Sequence, residues 1–503
     1  MAILKKLSAS RSLLHGSILY VGYRWFDRFL GVISLAVLAR LLSPEDFGIV
    51  AMATIVVGLL DAIFNMGVHV LVLQKDDPDE RFLNSAWTLR FLQAALIAVC
   101  LAVSAPLAAE YFSEPKVEYV IYVLALSSLL GGLENFAIVI FQKSRQFFRE
   151  FQLSAIKRLS QFVIVIALAY YLDSYWALVI GTLIARFLGV ILAYAFYPVI
   201  HKLSLEHMRD LFGAGKWLLA MNILAYIWTR IDELIVGRYF KPAILGSYSI
   251  AAEVARMPTA ELMAPISRAL LPGFTSMKND VEESRKLVLT SINIQASLAL
   301  PAAAGLFICA EPIVILFLGE QWSLAADLLA ILPIAFAAAA LRYTGEYYLI
   351  AHEKQKLLTF VDLYYVLAFL GLVFWHVSGV DDVSLEFIVF ARAVVEATGI
   401  GIMWIATSVV SKSVSVWAQI NQMLRPLLAT AAMIAALLSW RWDTGSMVAD
   451  LGLTVALGGA VYVVSIALLW LVWGKPEGSE RWIFSQVEDR FFNRGTGDTS
   501  AAD

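Results

Sequence analysis

Ionisable side chains stand at intervals inside stretches of this sequence that are otherwise hydrocarbon. Arg24, Asp27 and Arg28 fall in the apolar run 16–42, Asp61 midway along 47–73, Glu134 in 117–141 and Arg186 in 175–200. Arg230, Asp232 and Glu233 fall in 214–239; Glu253, Arg256, Glu261 and Arg268 in 245–273; Arg342 and Glu346 in 324–352; Arg392 and Glu396 in 384–410. A charge in such a setting is costly, so it is met by another side chain, a watery cavity or a ligand. Residues three or four apart share a helix face. By that spacing Arg230–Glu233, Glu253–Arg256, Arg342–Glu346 and Arg392–Glu396 can neutralise within one helix. Arg24 and Arg28 share a face with the single acid Asp27 beside them, which leaves positive charge over. Asp61, Glu134, Arg186 and Arg268 have no opposite charge at helical spacing and need one from elsewhere. Spare guanidinium suits an anion: its fork binds phosphate oxygens bidentately and keeps its charge.

The elements that would carry these residues are membrane helices. The chain has 503 residues, 60% of them hydrophobic and only 16% charged, against about 25% charged in soluble domains. A spanning helix needs about 20 largely apolar residues. Fourteen runs qualify: 16–42, 47–73, 84–110, 117–141, 154–173, 175–200, 214–239, 245–273, 287–309, 324–352, 357–376, 384–410, 421–440 and 447–474. The fold class is therefore an all-α polytopic membrane protein. The division between the fifth and sixth runs rests only on "LDSYW". With the amino terminus inside, Lys and Arg concentrate in the inner segments, and the outer loops hold only Arg40, Lys116, Arg238, Lys241 and Arg441. This asymmetry places both termini in the cytoplasm. The basic start reads as retained rather than as a cleaved leader. It and the tail "RWIFSQVEDRFFNR" have the composition of interfacial helices.

One corner is written twice. "RLLSPEDFGIV" (Arg40 to Val50) and "RYFKPAILGSY" (Arg238 to Tyr248) share the frame R-x-x-x-P-x-x-x-G. Six runs separate them, so both copies point the same way. That implies two parallel six-helix repeats about an axis along the membrane normal, followed by two more helices. "APLAAEYFSEP" after the third run and "AEPIVILFLGEQW" after the ninth are a fainter echo. The expected organisation is an N-lobe (1–200), an inter-lobe linker (201–213), a C-lobe (214–410), a terminal helix pair (411–474) and a cytoplasmic tail (475–503).

Five stretches in this order resemble one family: "ARLLSPEDFGIVAMA", "QKDDPDERFLNSAW", "FQKSRQFFREF", "FGAGKWL" and "LFLGEQWSLAADLLAIL". The chain is similar to the multidrug/oligosaccharidyl-lipid/polysaccharide (MOP) exporter superfamily, and within it to the polysaccharide transporter branch, the lipid-linked oligosaccharide flippases. The resemblance implies that the first, second, seventh and eighth spans line a central cavity. Arg24, Arg28 and Arg268 are then the candidates for a substrate diphosphate. Asp27, Asp61, Arg230, Asp232, Glu233, Glu253 and Arg256 are further cavity charges, and Asp27, Asp61 and Glu253 the ion-coupling candidates. Tyr20, Tyr23, Trp25, Tyr226 and Trp228 could stack on sugar rings, although aromatics also favour membrane interfaces.

The resemblance implies flipping of a polyprenyl diphosphate-linked oligosaccharide across a bacterial inner membrane. Its partners would be membrane lipids and polysaccharide polymerase machinery, with no nucleic acid. A drug or cation antiporter is the alternative. A membrane polymerase or ligase is a more distant one, because no outer loop is long enough for a catalytic domain. The sequence has no Walker loop, no H-E-x-x-H and no clustered Cys and His, so no catalytic, cofactor or metal site is expected. Pro258, Pro265 and Pro272 punctuate the eighth run at seven-residue spacing, which invites kinking.

Overall fold

In the computed structural model the chain is helical throughout its described residues. These are the backbone of 2–278, 280–379, 383–440 and 442–474, and the side chains there except at 2–18, 212–222, 260, 262 and 264–269. The tail read as interfacial and the Arg268 side chain lie outside them.

The helices run in order α1 (Ala2–Leu41), α2 (Pro44–Phe64), α3 (Val68–Gln74), α4 (Glu80–Phe112), α5 (Lys116–Gly132), α6 (Ala137–Lys143), α7 (Phe147–Leu172) and α8 (Trp176–Phe196). There follow α9 (Met208–Tyr239), α10 (Pro242–Ser276), α11 (Val281–Phe317), α12 (Ser323–Ala351), α13 (Gln355–Gly379), α14 (Leu385–Ser411), α15 (Val416–Ser439) and α16 (Met447–Val472). Among the described residues ten helices are long and apolar enough to cross a membrane, or eleven if the bent pair α5 and α6 is one span. The protein is a multi-pass membrane protein.

Three local expectations change. The amino-terminal segment read as a separate interfacial helix continues without a break into α1, since nothing between Ala2 and Leu41 caps or interrupts the backbone ladder. The second run is not one helix. It stops at Phe64, and Gly67 in the left-handed region (φ +64°) turns the chain into α3. The Asn65 side chain accepts from the Gly67 amide across this turn. The fourth run bends by 42° between α5 and α6. By contrast α10 passes through Pro258, Pro265 and Pro272 as a single helix, and "LDSYW" does separate α7 from α8.

The described chain divides into two compact units, one comprising the residues up to Ser249 with Phe317–Gln321, the other Ile250–Leu316 with the chain from Trp322 onward. In the second unit two ion pairs close within single helices. Arg342 pairs with Glu346 (3.2 Å) and Arg392 with Glu396 (3.3 Å), each one helical turn apart. The Arg342 guanidinium also lies over the Tyr365 ring at 4.6 Å. Gly399 leaves the room that the Tyr365 ring fills. The pair α15 and α16 is tied to α11 by the Tyr462 hydroxyl, which donates to the Ser297 carbonyl.

The twice-written corner is explained in the first unit. Ser43 and Asp46 form a reciprocal cap at the start of α2, with Pro44 in its first turn. The two corners then pack backbone to backbone. A β-carbon on Gly48 would collide with the Pro242 backbone, and one on Gly246 with the Pro44 backbone. The arginines are exchanged in the same sense. Arg238 donates to the Tyr111 carbonyl at the end of α4 (2.5 Å), and Arg40 to the Phe317 carbonyl at the end of α11 (3.5 Å). Each guanidinium thus meets orphan carbonyls at a helix carboxyl end, where a cation is favoured. Gln321 in turn caps the carboxyl end of α1, donating to the Ala39 and Leu42 carbonyls.

At the other end of this unit, α4 clamps the segment joining α8 to α9. Asn84 accepts from the Lys202 amide, Thr88 from the Ser204 amide and Ser85 from the His207 amide. His201 is buried beside Trp87 and Phe136.

Two predictions follow from this packing. Gly48→Ala or Gly246→Ala forces the corners apart and lowers stability by about 1–3 kcal/mol, the usual cost of overpacking. Gly371→Ala, which meets nothing within 4 Å, leaves the thermal midpoint in detergent unchanged. Burial holds the His201 imidazole below its ordinary pKa, against the opposing pull of Glu80. Its neutral form is therefore favoured by folding, and the unfolded chain takes up the proton first. The contribution is complete above about pH 6.5 and fades as pH falls below it. Melting curves between pH 8 and 5 should show this acid loss, flattened in His201→Phe.

Candidate functional site

The site grows from two interruptions in membrane helices and the helix that serves both. Breaking a helix in a bilayer frees carbonyls that water cannot reach, so protein groups must meet them. On α4, Gln93 donates to the Phe64 carbonyl at the end of α2 (3.0 Å). One turn earlier Arg90 donates to the Gly131 carbonyl (3.0 Å) and the Glu134 carbonyl (3.1 Å) at the end of α5. Asn135 completes the second break. Its side-chain oxygen accepts from the Ala137 amide, and its nitrogen donates to the Tyr197 carbonyl (2.6 Å).

Glu134, carried in this break, anchors an ion network. Its carboxylate pairs with Lys157 of α7 and lies 3.7 Å from Arg90. The next residue on α7, Arg158, pairs with Asp27 of α1 at 2.7 Å. Consecutive cations on one helix therefore tie it to two different elements. Around them is a cavity of about 340 Å³, lined by Tyr23 and Asp27 of α1, Glu134, Ser154, Lys157, Arg158 and Gln161 of α7, and Thr182 and Arg186 of α8. Thr182, Ala185, Arg186 and Gly189 recur at helical spacing and turn one stripe of α8 toward it. Phe187, on the opposite side, is exposed.

A second cavity of about 210 Å³ shares Arg186 and is lined by Asp61, Asn65, His69, Arg90 and Gln93. The Arg186 guanidinium packs over Gly131, where a β-carbon would meet it at 3.6 Å. Among the described residues Arg186 makes no hydrogen bond or ion pair, and Asp61 is close enough only for a longer-range attraction. The two cavities together hold four cations (Arg90, Lys157, Arg158, Arg186) and three carboxylates (Asp27, Asp61, Glu134).

The structure gathers some of the expected residues and separates others. Tyr23, Asp27 and Asp61 line these cavities. Arg24 and Arg28 are half-buried on α1 and are not among the lining residues, and Tyr20 and Trp25 are exposed at 45% and 69%. Tyr226 is a packing residue: its hydroxyl donates to the Ile55 carbonyl (2.7 Å) and its ring fills the space left by Gly58. Trp228 is buried. Arg230 donates to both oxygens of Glu233 (2.7 Å), and Asp232 accepts from the Tyr248 hydroxyl (2.7 Å). In the second unit Glu253 is exposed, while Arg256 donates to the Ala252 carbonyl and stands 5.3 Å from the Phe336 ring. Glu134, which has no partner on its own helix, finds two on others.

Lys157, Arg158 and Arg90 were not singled out from the sequence. The first two sit near the amino-terminal end of a span, just after a basic loop, where lysine and arginine are expected anyway. The readable signal was the adjacent pair in "SAIKRLSQ", three residues into an apolar run. Among the described residues no group of three or more His, Cys, Asp or Glu is arranged to hold a metal ion.

The fold defines the class. Over 90% of this chain and 99% of the other it is similar, at a TM-score of 0.72 and 14% identity, to a lipid II flippase MurJ in an inward closed conformation. Over 77% and 96% it is similar, at a TM-score of 0.55 and 14% identity, to an inward-facing multidrug resistance MATE family transporter of the MOP superfamily. The chain has the fold that these two proteins share. It belongs to the polysaccharide biosynthesis protein family, whose model matches residues 37–327. It is 24% identical to the teichuronic acid biosynthesis protein TuaB of Bacillus subtilis, over 80% of this chain and 84% of the other. To the succinoglycan biosynthesis transport protein ExoT of Rhizobium meliloti it is 26% identical over 61% and 62%. To the lipopolysaccharide biosynthesis protein WzxC of Escherichia coli it is 22% identical over 63% and 64%. The matches to ExoT and WzxC thus span just under two thirds of those proteins.

Glu134→Gln would leave Lys157 and Arg90 facing a neutral amide in a largely buried setting. Breaking one partner of such a network costs about 3 kcal/mol. The expected result is a lower melting temperature that Glu134→Gln combined with Lys157→Met partly recovers, read by thermal unfolding of the purified protein.

Proposed function

We propose that this protein is a flippase. It moves a lipid diphosphate-linked oligosaccharide, a repeat unit of an exopolysaccharide, capsule or O-antigen, from the inner to the outer leaflet of a bacterial inner membrane. The observation that carries this reading is a cation-rich cavity within a MOP exporter fold, in a chain of the polysaccharide biosynthesis family. The names of its relatives point the same way, including a putative O-antigen transporter of Shigella flexneri. A sugar headgroup and its diphosphate need a polar, positively charged path, while the lipid tail stays in the bilayer.

In this reading the protein has fourteen spans. The ten apolar helices and the bent pair are joined by α1, α9 and α10, which have 40, 32 and 35 residues. A helix of 30 residues already extends about 45 Å at 1.5 Å per residue, more than a bilayer core. Residues 1–200 form one lobe and 214–410 the other, joined by 201–213 and followed by the pair 411–474. The lobes are related by the axis that exchanges the two Arg–Pro–Gly corners, and both termini are cytoplasmic. Arg24, Arg28 and Arg268 contact the diphosphate as it passes, Asp27, Asp61 and Glu253 are the ion-coupling carboxylates, and polysaccharide polymerase machinery receives the product.

The test is a deletion strain with transport scored in reconstituted vesicles. Loss of surface polysaccharide with complete lipid-linked units trapped on the cytoplasmic side is the expected result. Replacing Arg24, Arg28 or Arg268 by alanine should lower the flipping rate at least tenfold. Complete units that reach the outer face unpolymerised would overturn the reading. Export of cationic dyes without any polysaccharide defect would favour a drug antiporter instead.

A further inference from the structure

Arg186 is the charge that the network does not absorb. Asp27 is taken by Arg158, and Glu134 by Lys157 and Arg90. Arg186 lies on the cavity-facing stripe of α8, seated over Gly131, with no hydrogen bond or ion pair among the described residues. An arginine within a membrane domain is costly unless something meets it. Asp61 lines only the smaller of the two cavities that Arg186 borders. In the larger, Arg186 faces Lys157 and Arg158, three cations against the two carboxylates of Asp27 and Glu134. Each of those lysine and arginine heads has several donors and gives only part of them to its carboxylate. Ser154, Gln161 and Thr182 add neutral donors to the same wall.

We propose that this cavity inside the first unit is an anion site. Arg186, with Lys157 and Arg158, takes the diphosphate of the lipid-linked substrate's headgroup. The proposal rests on the flippase reading for the identity of its substrate, but not for the presence of an anion site. It adds a second station to the path, distinct from the one assigned to Arg24, Arg28 and Arg268. A guanidinium without a carboxylate partner is the group that can exchange ligands, because binding there breaks no internal ion pair. The neighbouring cations keep their carboxylates and supply field and spare donors, so the site survives the anion's departure without leaving buried charges bare.

The full-length protein in lipid nanodiscs is titrated with two probes that share the group, inorganic pyrophosphate and farnesyl diphosphate. Both should bind, the farnesyl compound more tightly if the physiological source is a lipid. Arg186→Gln should weaken both by about ten- to a hundredfold, the worth of a charged hydrogen-bond pair. Arg186→Lys should fall between. Wild-type affinity in Arg186→Gln would overturn the proposal. Should Arg186→Gln fold poorly, a second measurement decides. With Cys100 and Cys309 replaced by alanine and Thr182 by cysteine, pyrophosphate should slow thiol labelling at position 182, and an unchanged rate would overturn the site. Polysaccharide export by the Arg186→Gln strain separates the two claims. Wild-type export despite lost binding would sink Arg186 as a substrate contact. Unimpaired export by the deletion strain would sink the flippase reading while leaving the binding result intact.

Discussion

The constraint on which the rest of this structure depends is that hydrocarbon cannot solvate charge or free backbone. Every guanidinium, carboxylate and interrupted helix end within the spans has to be met by protein, by trapped water or by cargo. Two pairs in the second unit, and Arg230 with Glu233 in the first, meet this demand one turn apart on the same helix. The first unit also meets it across helices. Asp27 reaches α7, Glu134 reaches α7 and α4, and Arg90 serves a helix end and a carboxylate at once. Local pairs can form in each helix alone. Pairs across helices exist only when three or four helices are held in register, and they leave room between them.

That difference bears on function. The pairs across helices in the first unit border two cavities, and Arg186 lines both. Breaking α2 from α3 and α5 from α6 is part of the same device. Broken helices place carbonyls and the side chains of short turns at membrane depth, where continuous helices present only their flanks. Arg90 and Gln93, one turn apart on α4, make both breaks tolerable.

The twice-written corner has a different physical basis. Its glycines are required by contact rather than by backbone conformation. Gly48 and Gly246 are helical, and each lies where the other corner's proline backbone leaves no room for a β-carbon. The arginines of the frame reach out as well, each onto the carboxyl end of a helix far away in sequence, Arg238 across 127 residues and Arg40 across 277. A motif that reads as a tight turn is in fact a mutual clasp.

Much was legible in the chain itself. Apolar runs of twenty or more residues, cut by short polar loops, determine that it is a multi-pass helical membrane protein, because no other arrangement buries that much hydrocarbon. Helical spacing alone paired Arg342 with Glu346, Arg392 with Glu396 and Arg230 with Glu233, since one turn of helix brings such residues together in any fold. The repeated frame marked two corners that the structure brings into contact, and stretches around it already pointed to a family. What spacing could not say is which helix lies beside which. Only tertiary packing decided that Glu134 is held by Lys157 and Arg90, that Asp27 belongs to Arg158, and that Tyr226 is a packing residue. It also decided that the cavity would be lined from α7 and α8 as much as from α1. Contacts one turn apart follow from the covalent geometry of a helix, whereas contacts between helices depend on close packing that no short stretch of sequence encodes.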